Sequence, residues 1–403
     1  MTKGAQVRKL LVVTWPILPG RGGSVIIIEK LFGHFTDQEV VLLGELPPFG
    51  KAPVRQTGKP RAYYFRSGFS LFGRGARFFS WFRWLLLPLL IRRICRTART
   101  EQCDYILGIF PDDYYCYAAC LAAKRLGLPF STYFHNTYTD NEAVDQKRGR
   151  MIQPLLFSES EHVFVMSDGM KRFFEQKYGF TNVTTLVHTF EELPGPAEPP
   201  AEPLSEKQQI RLVLFGNFNS SNIEATQRFL KAISGNDRYR VFVYTHVPVA
   251  LLKLRGIDTS VITHMGYIDD ADLVEELRKY DICVLTHGFT GAYGAIEYRT
   301  IFPTRTIPML LSGRPIFVHS PPDSFLSEFV REHNIGLLVD TASTERIVEG
   351  LDRIVTDASY TAEIVEAAGR TSLNYFGPNV AAVMRQTMRM TNALESKEGT
   401  ATA

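Results

Sequence analysis

Residues 303–317 read Pro303-Thr304-Arg305-Thr306-Ile307-Pro308-Met309-Leu310-Leu311-Ser312-Gly313-Arg314-Pro315-Ile316-Phe317, and the fold of the chain turns on this stretch. A proline turn carries an arginine into a short apolar helix, a small-residue turn and a buried strand. Proline is tolerated only in the first helical turn, so Pro308 sets the helix start at about Arg305 to Ile307. One cation and a helix N-terminus therefore converge at one point, which suits a bound phosphate.

Working outward, the second half alternates strands and helices. Strands are expected at Arg211 to Phe215, Val241 to Thr245, Ser260 to Thr263, Ile282 to Thr286, Pro315 to Val318 and Gly336 to Val339. Helices are expected at about Asn222 to Ile233, Ala271 to Lys279 and Ser324 to Glu332. Residues 191–209, rich in Pro and Glu, read as a semi-rigid linker. The first half repeats the alternation. The near-continuous apolar run Lys9 to Thr14 predicts a strand buried on both faces, followed by a glycine-rich turn at Gly22-Gly23. Repeated βα alternation predicts two doubly wound parallel-sheet α/β domains with ligands at the C-terminal ends of the strands. The expected division is 1–190, a linker at 191–209, 210–373, and a C-terminal helix and tail at 374–403.

Composition narrows the partners. A net charge of +3 over 403 residues does not suggest a nucleic-acid ligand. Five cysteines without a C-x-x-C pair suggest a reduced, cytoplasmic chain. No signal peptide is expected from the polar start, and no apolar run approaches the roughly 20 residues needed to cross a bilayer. Between Leu46 and Thr100 there is no acidic residue, while Arg and Lys recur. Within that segment Phe78, Trp81 and Trp84 alternate with Arg83, Arg92 and Arg93, the composition of a segment at an anionic membrane surface. A helix pair buried in the first domain and broken at Pro88 is the competing reading. The inner face of the membrane is the expected location, and the oligomeric state is left open.

His264-Met265-Gly266-Tyr267-Ile268, the helix at Leu273 to Tyr280, the Asp281 to Leu285 strand, the Pro303 to Phe317 stretch and Glu328 to Asp340 together resemble the GT-B glycosyltransferases of family four. The resemblance runs over nearly the whole chain and is most specific in the second half. It implies two Rossmann-like domains facing a cleft, a nucleotide diphosphate sugar as donor, retention of configuration and no metal cofactor. With the basic first domain docked on a membrane, a lipid-linked or polysaccharide acceptor is expected. Two departures stand out: the family's pair of acidic residues falls here on Thr300 and Pro308, and the basic residues after the Arg211 strand are missing.

Carried onto this sequence, the resemblance implies donor or nucleotide contacts from Gly22, Gly23, Gly216, Tyr267, Thr304, Arg305 and Thr306, with Arg305 on the leaving diphosphate. His135, His246 and His287 each follow an expected strand and are expected to face the ligand. Glu297 is the nearest acid to the vacant positions, and His135, Glu297 and Arg305 form the expected catalytic set. Asp112, Asp113 and Asp140 are acids of lower rank, read as solvated or capping. No Cys/His/Asp grouping has metal-ligand spacing. The loss of the two acids favours an alternative, a catalytically silent GT-B protein serving as a membrane-associated partner or scaffold. A sugar epimerase or phosphorylase of the same fold is a third reading, one that would not need the basic aromatic segment.

Overall fold

The computed structural model describes residues 9–390 except 16, 20–22, 47–49, 55–56, 68–81, 111, 142–145, 192–202 and 293. The chain divides into two units, residues 1–139, 144–189 and 377–403 in the first and residues 140–143 and 190–376 in the second. Phe78 and Trp81 lie outside the described residues, as does Gly22.

The first unit runs β1 (Leu10–Val13), α1 (Gly23–Phe32), β2 (Val40–Glu45), β3 (Arg61–Phe65), α2 (Leu87–Thr100), β4 (Tyr105–Phe110), α3 (Asp113–Leu126), β5 (Phe130–Phe134), α4 (Gln146–Glu159), β6 (His162–Val165), α5 (Asp168–Tyr178) and β7 (Val183–Thr185). Its strands form one sheet in the order β3-β2-β1-β4-β5-β6-β7, with every pairing parallel. The apolar run of β1 lies at the centre, and all four of its residues are fully buried. Asp112 caps α3 by accepting from the Tyr115 amide, and Gly127 ends that helix in the left-handed region.

One element here differs from the sequence reading. Arg61–Phe65 is a parallel edge strand for which the sequence reading has no counterpart. Residues 82–85 are helical, Leu86 stands at a turn and α2 begins at Leu87, so the helix is broken beside Pro88 as the helix-pair reading expects; proline near a helix N-terminus gives up an amide that has no partner anyway.

The second unit runs β8 (Ile210–Phe215), α6 (Ile223–Ile233), β9 (Tyr239–Tyr244), α7 (Val249–Leu254), β10 (Ile262–Gly266), α8 (Asp270–Leu277), β11 (Ile282–Thr286), α9 (Ala295–Thr300), α10 (Thr306–Leu311), β12 (Ile316–His319), α11 (Phe325–His333), β13 (Leu337–Val339), α12 (Thr344–Thr356) and α13 (Ala358–Ser372). Its parallel sheet has the order β10-β9-β8-β11-β12-β13. β10 starts and ends later than the expected Ser260 to Thr263 strand, so His264 to Gly266 belong to it. Leu204, from the end of the expected linker, packs into this unit's core.

The last helix, α14 (Gly377–Met388), belongs to the first unit. Val380, Ala381, Met384 and Met388 join that unit's core, and Arg385 pairs with Glu39 at 2.8 Å. Among the described residues, no helix is long and apolar enough to cross a membrane.

Candidate functional site

In the second sheet the strand order reverses between β8 and β11, the switch point at which open α/β sheets bind ligands. Arg305 lies across this point. Its Nη2 donates to the Thr286 carbonyl at 3.0 Å and its Nη1 to the Phe215 carbonyl at 3.4 Å, the last residues of β11 and β8. The side chain passes directly over Gly216, where a Cβ would stand 2.7 Å from Arg305 Cδ and where φ is +102°. Glycine is therefore required at Gly216 for both space and conformation. Burial lowers the Arg305 pKa to about 10, and no carboxylate among the described residues pairs with it. It is a cation at neutral pH whose charge, among the described residues, meets two carbonyl dipoles.

The neighbouring loops are tied together beneath it. His287 is buried, donates Nε2–H to the Tyr298 carbonyl at 2.8 Å, and is neutral because burial pushes its pKa down to about 4. Tyr298 in turn donates its hydroxyl to the Ser220 carbonyl. His287, expected to face the ligand, is thus corrected to a buried group that fastens α9 to the end of β11.

The remaining expected contacts in this unit fall at varied depths. Thr306 is fully buried, and its hydroxyl has no partner among the described residues; Thr304 beside it is exposed. Glu297 is buried in α9. Tyr267 is 65% exposed just beyond β10, so it is not a core tyrosine. His246 is exposed after β9. Thr300 donates its hydroxyl to the Ile296 carbonyl at 2.9 Å, and Pro308 is buried as the third residue of α10. The helix begins at Thr306, immediately after Arg305, as the position of Pro308 requires.

In the first unit, His135 follows β5 and places Nδ1 3.2 Å from the Ser24 hydroxyl at the start of α1. Burial, reinforced by the nearby His188, lowers its pKa to about 3, so it is neutral. Its Nε2 is buried without a partner among the described residues. Gly23 is exposed, with open space where a Cβ would stand, so nothing described there requires glycine.

The aromatic–basic segment divides. Arg83 is not at the surface: it is 3% exposed and forms a bidentate pair with Asp112 at 2.8 and 3.1 Å. The Tyr114 ring lies 4.3 Å from its guanidinium carbon. This corrects its expected place on a membrane face. Sequence could not reveal it, because the pairing joins residues far apart along the chain. Trp84 is half-buried against Tyr114 and Tyr117. Arg93 packs over the Tyr63 ring, while Arg92 is exposed. Among the described residues, no His/Cys/Asp/Glu group is arranged to hold a metal.

Solved structures share this architecture across both units. Sucrose-phosphate synthase from Thermosynechococcus elongatus matches with a TM-score of 0.68 at 13% identity, covering 98% of this chain and 100% of its own. Anabaena HepE, solved in complex with UDP and glucose, matches with a TM-score of 0.66 at 13% identity over 94% and 99%. The lipopolysaccharide outer core galactosyltransferase WaaB matches at 0.62 and 13% over 96% and 99%. No curated protein sequence matches the chain. Residues 22–190 match the model of Glycosyltransferase Family 4.

The chain has the GT-B fold of these structures, and its residues 22–190 carry the Glycosyltransferase Family 4 match. Both Rossmann-like sheets of this GT-B fold have the 3-2-1-4-5-6 order within them, and the first adds one further strand. The family match covers the unit in which sequence motifs were least specific, and the Arg305 turn lies in the other.

Proposed function

We propose that this glycosyltransferase moves a sugar from a nucleotide diphosphate sugar to a lipid-linked or polysaccharide acceptor, with retention of configuration. The observation that carries the donor side is Arg305, a carboxylate-free guanidinium laid across Gly216 at the sheet's switch point. A departing diphosphate gains negative charge, and a planar guanidinium can receive it bidentately. The reading needs no bound ion, because Arg305 supplies the positive charge. His135, with its free ring nitrogen, is assigned to the sugar hydroxyls, and Tyr267 to the base. HepE's bound UDP favours uridine among the possible nucleotides.

Thermal-shift measurements with UDP, GDP and ADP test this directly. At least one nucleotide is expected to raise the Tm of the wild type by several degrees and to lose that effect in Arg305→Ala. A well-folded wild type stabilised by none of them would sink the reading. The second reading, a catalytically silent scaffold, is favoured by Thr300 and Pro308 standing where acids are expected; nucleotide binding without turnover would support it.

The proposal includes docking on an anionic membrane surface, supported by the outer face of α2. Leu89, Arg92, Arg96 and Arg99 are exposed at helical spacing, and Leu85 just before the helix is 63% exposed. Each arginine near an anionic surface contributes about 1 kcal/mol. Charge reversal at Arg92 and Arg96 should therefore weaken binding to phosphatidylglycerol vesicles roughly thirtyfold or more in flotation. Flotation equal to wild type, or equal on neutral vesicles, removes the electrostatic docking from the proposal.

A further inference from the structure

At the C-terminal end of β4 two adjacent carboxylates have different surroundings. Asp112 is used up: it pairs with Arg83 and caps α3 through the Tyr115 amide. Asp113, one residue on, is not needed for either task. It is half-buried in the first turn of α3 and accepts a hydrogen bond from the Tyr138 hydroxyl at 3.1 Å.

Considerable local structure is devoted to placing that tyrosine. Tyr138 is fully buried with φ +59°, a left-handed conformation that costs a bulky residue about 1–3 kcal/mol. Its ring packs on Phe110 with centroids 4.3 Å apart. Gly149 of α4 opens the space beside it: a Cβ there would stand 2.7 Å from Thr139 Cγ2 and 3.3 Å from the Tyr138 ring. Fully buried Gln153 pins the loop, accepting from the Thr139 amide at 3.2 Å and donating to the Thr137 carbonyl at 3.1 Å. Such over-determination of a strained residue is a mark of a site rather than of a simple connection.

Two further groups complete the cluster. The charge of Arg148 acts on Asp113, and its guanidinium lies 5.0 Å from the Trp84 ring centroid. Trp84 in turn contacts Tyr117, and Trp84, Tyr117 and Arg148 are all half-buried, so each presents surface. Burial, followed by the charge of Asp112, holds the Asp113 carboxyl above the usual carboxylate range despite Arg148 and Tyr138.

A carboxylate accepts from sugar hydroxyls, a guanidinium donates to their oxygens, and an indole covers the apolar C–H face of a pyranose. We propose that Asp113, Arg148 and Trp84 form an acceptor subsite in the first unit that binds the hydroxyls of a pyranose. The proposal rests on the glycosyltransferase reading and deepens it by naming the acceptor's chemistry. Asp113 orients a hydroxyl here; no bond-making step is assigned to it.

The test uses the full chain with saturating UDP and a panel of methyl pyranosides of gluco, galacto, manno and N-acetylglucosamine type. Saturation-transfer NMR should detect at least one of them on the wild type. Asp113→Asn, an isosteric change, and Arg148→Gln, a change at a half-exposed residue, should each weaken that binding at least tenfold. UDP-induced thermal stabilisation should be unchanged in both. Equal glycoside binding by wild type and Asp113→Asn would overturn the subsite. So would a wild type that binds UDP but none of the glycosides, an outcome that leaves the donor reading standing. Loss of UDP binding by the wild type, with glycosides still bound through Asp113, would instead overturn the donor reading alone.

Discussion

Replacing Arg305 with glutamine is expected to lower kcat about a hundred- to a thousandfold, with a much smaller change in the acceptor KM. The size follows from what removing one preorganised charge-stabilising group usually costs, about 3 kcal/mol of barrier. Glutamine keeps a donor but not the charge or the fork. Arg305→Lys should fall between the two, because an ammonium restores the charge as a point without the planar geometry. Turnover is measured with the nucleotide sugar whose nucleotide stabilises the wild type. A structural role for Arg305 predicts something else. The side chain joins the Phe215 and Thr286 carbonyls, and losing those two charge-assisted bonds should cost about 1–3 kcal/mol each. Lowered Tm with kcat preserved would assign Arg305 to the fold and leave the diphosphate without its cation.

The largest expected effect on stability comes from Asp112→Ala. The Arg83–Asp112 pair is nearly sealed from solvent, with side chains 3% and 7% exposed. Burial alone would lower the pKa of Arg83; Asp112, followed by Tyr115 and Glu45, reverses that and holds it above its ordinary value. Removing Asp112 leaves a guanidinium buried without its counter-charge, a change that usually costs about 3–5 kcal/mol. The lost α3 cap adds about 1 kcal/mol. Urea unfolding followed by tryptophan fluorescence isolates this effect, because Trp15, Trp81 and Trp84 all belong to the first unit. Arg83→Met combined with Asp112→Leu should recover most of the loss, since the pair itself contributes little beyond its own desolvation. A cost below about 1 kcal/mol for Asp112→Ala would show that water reaches the pair.

The two expectations differ in how far sequence could carry them. Arg305 stood out because its neighbours are local. A proline turn, a helix that must start before Pro308 and a following buried strand fix its position within a few residues. Gly216 could be suspected, as a glycine ending an apolar strand, but not its reason, which is the passage of Arg305 over it. Arg83 was misplaced because composition treats every arginine in a basic aromatic run alike, while burial depends on a carboxylate contributed from the start of α3. His287 was misjudged for a similar reason. A histidine after a strand is equally ready to face a ligand or to fasten a loop, and the Tyr298 carbonyl decides between them.

What the sequence determined alone is the architecture: apolar runs of strand length alternating with helices bury their faces in parallel sheets covered by helices, and the restart after the Pro/Glu-rich stretch divides them into two. It also determined where Arg305 stands relative to the start of α10, since backbone geometry around proline is a local property. Tertiary structure alone decided which charges are free to meet a ligand. Among the described residues Arg305 has no carboxylate partner, Arg83 is taken by Asp112, and Asp113 is spared beside it. Those outcomes depend on distances between residues far apart along the chain, which only the packed sheets bring together.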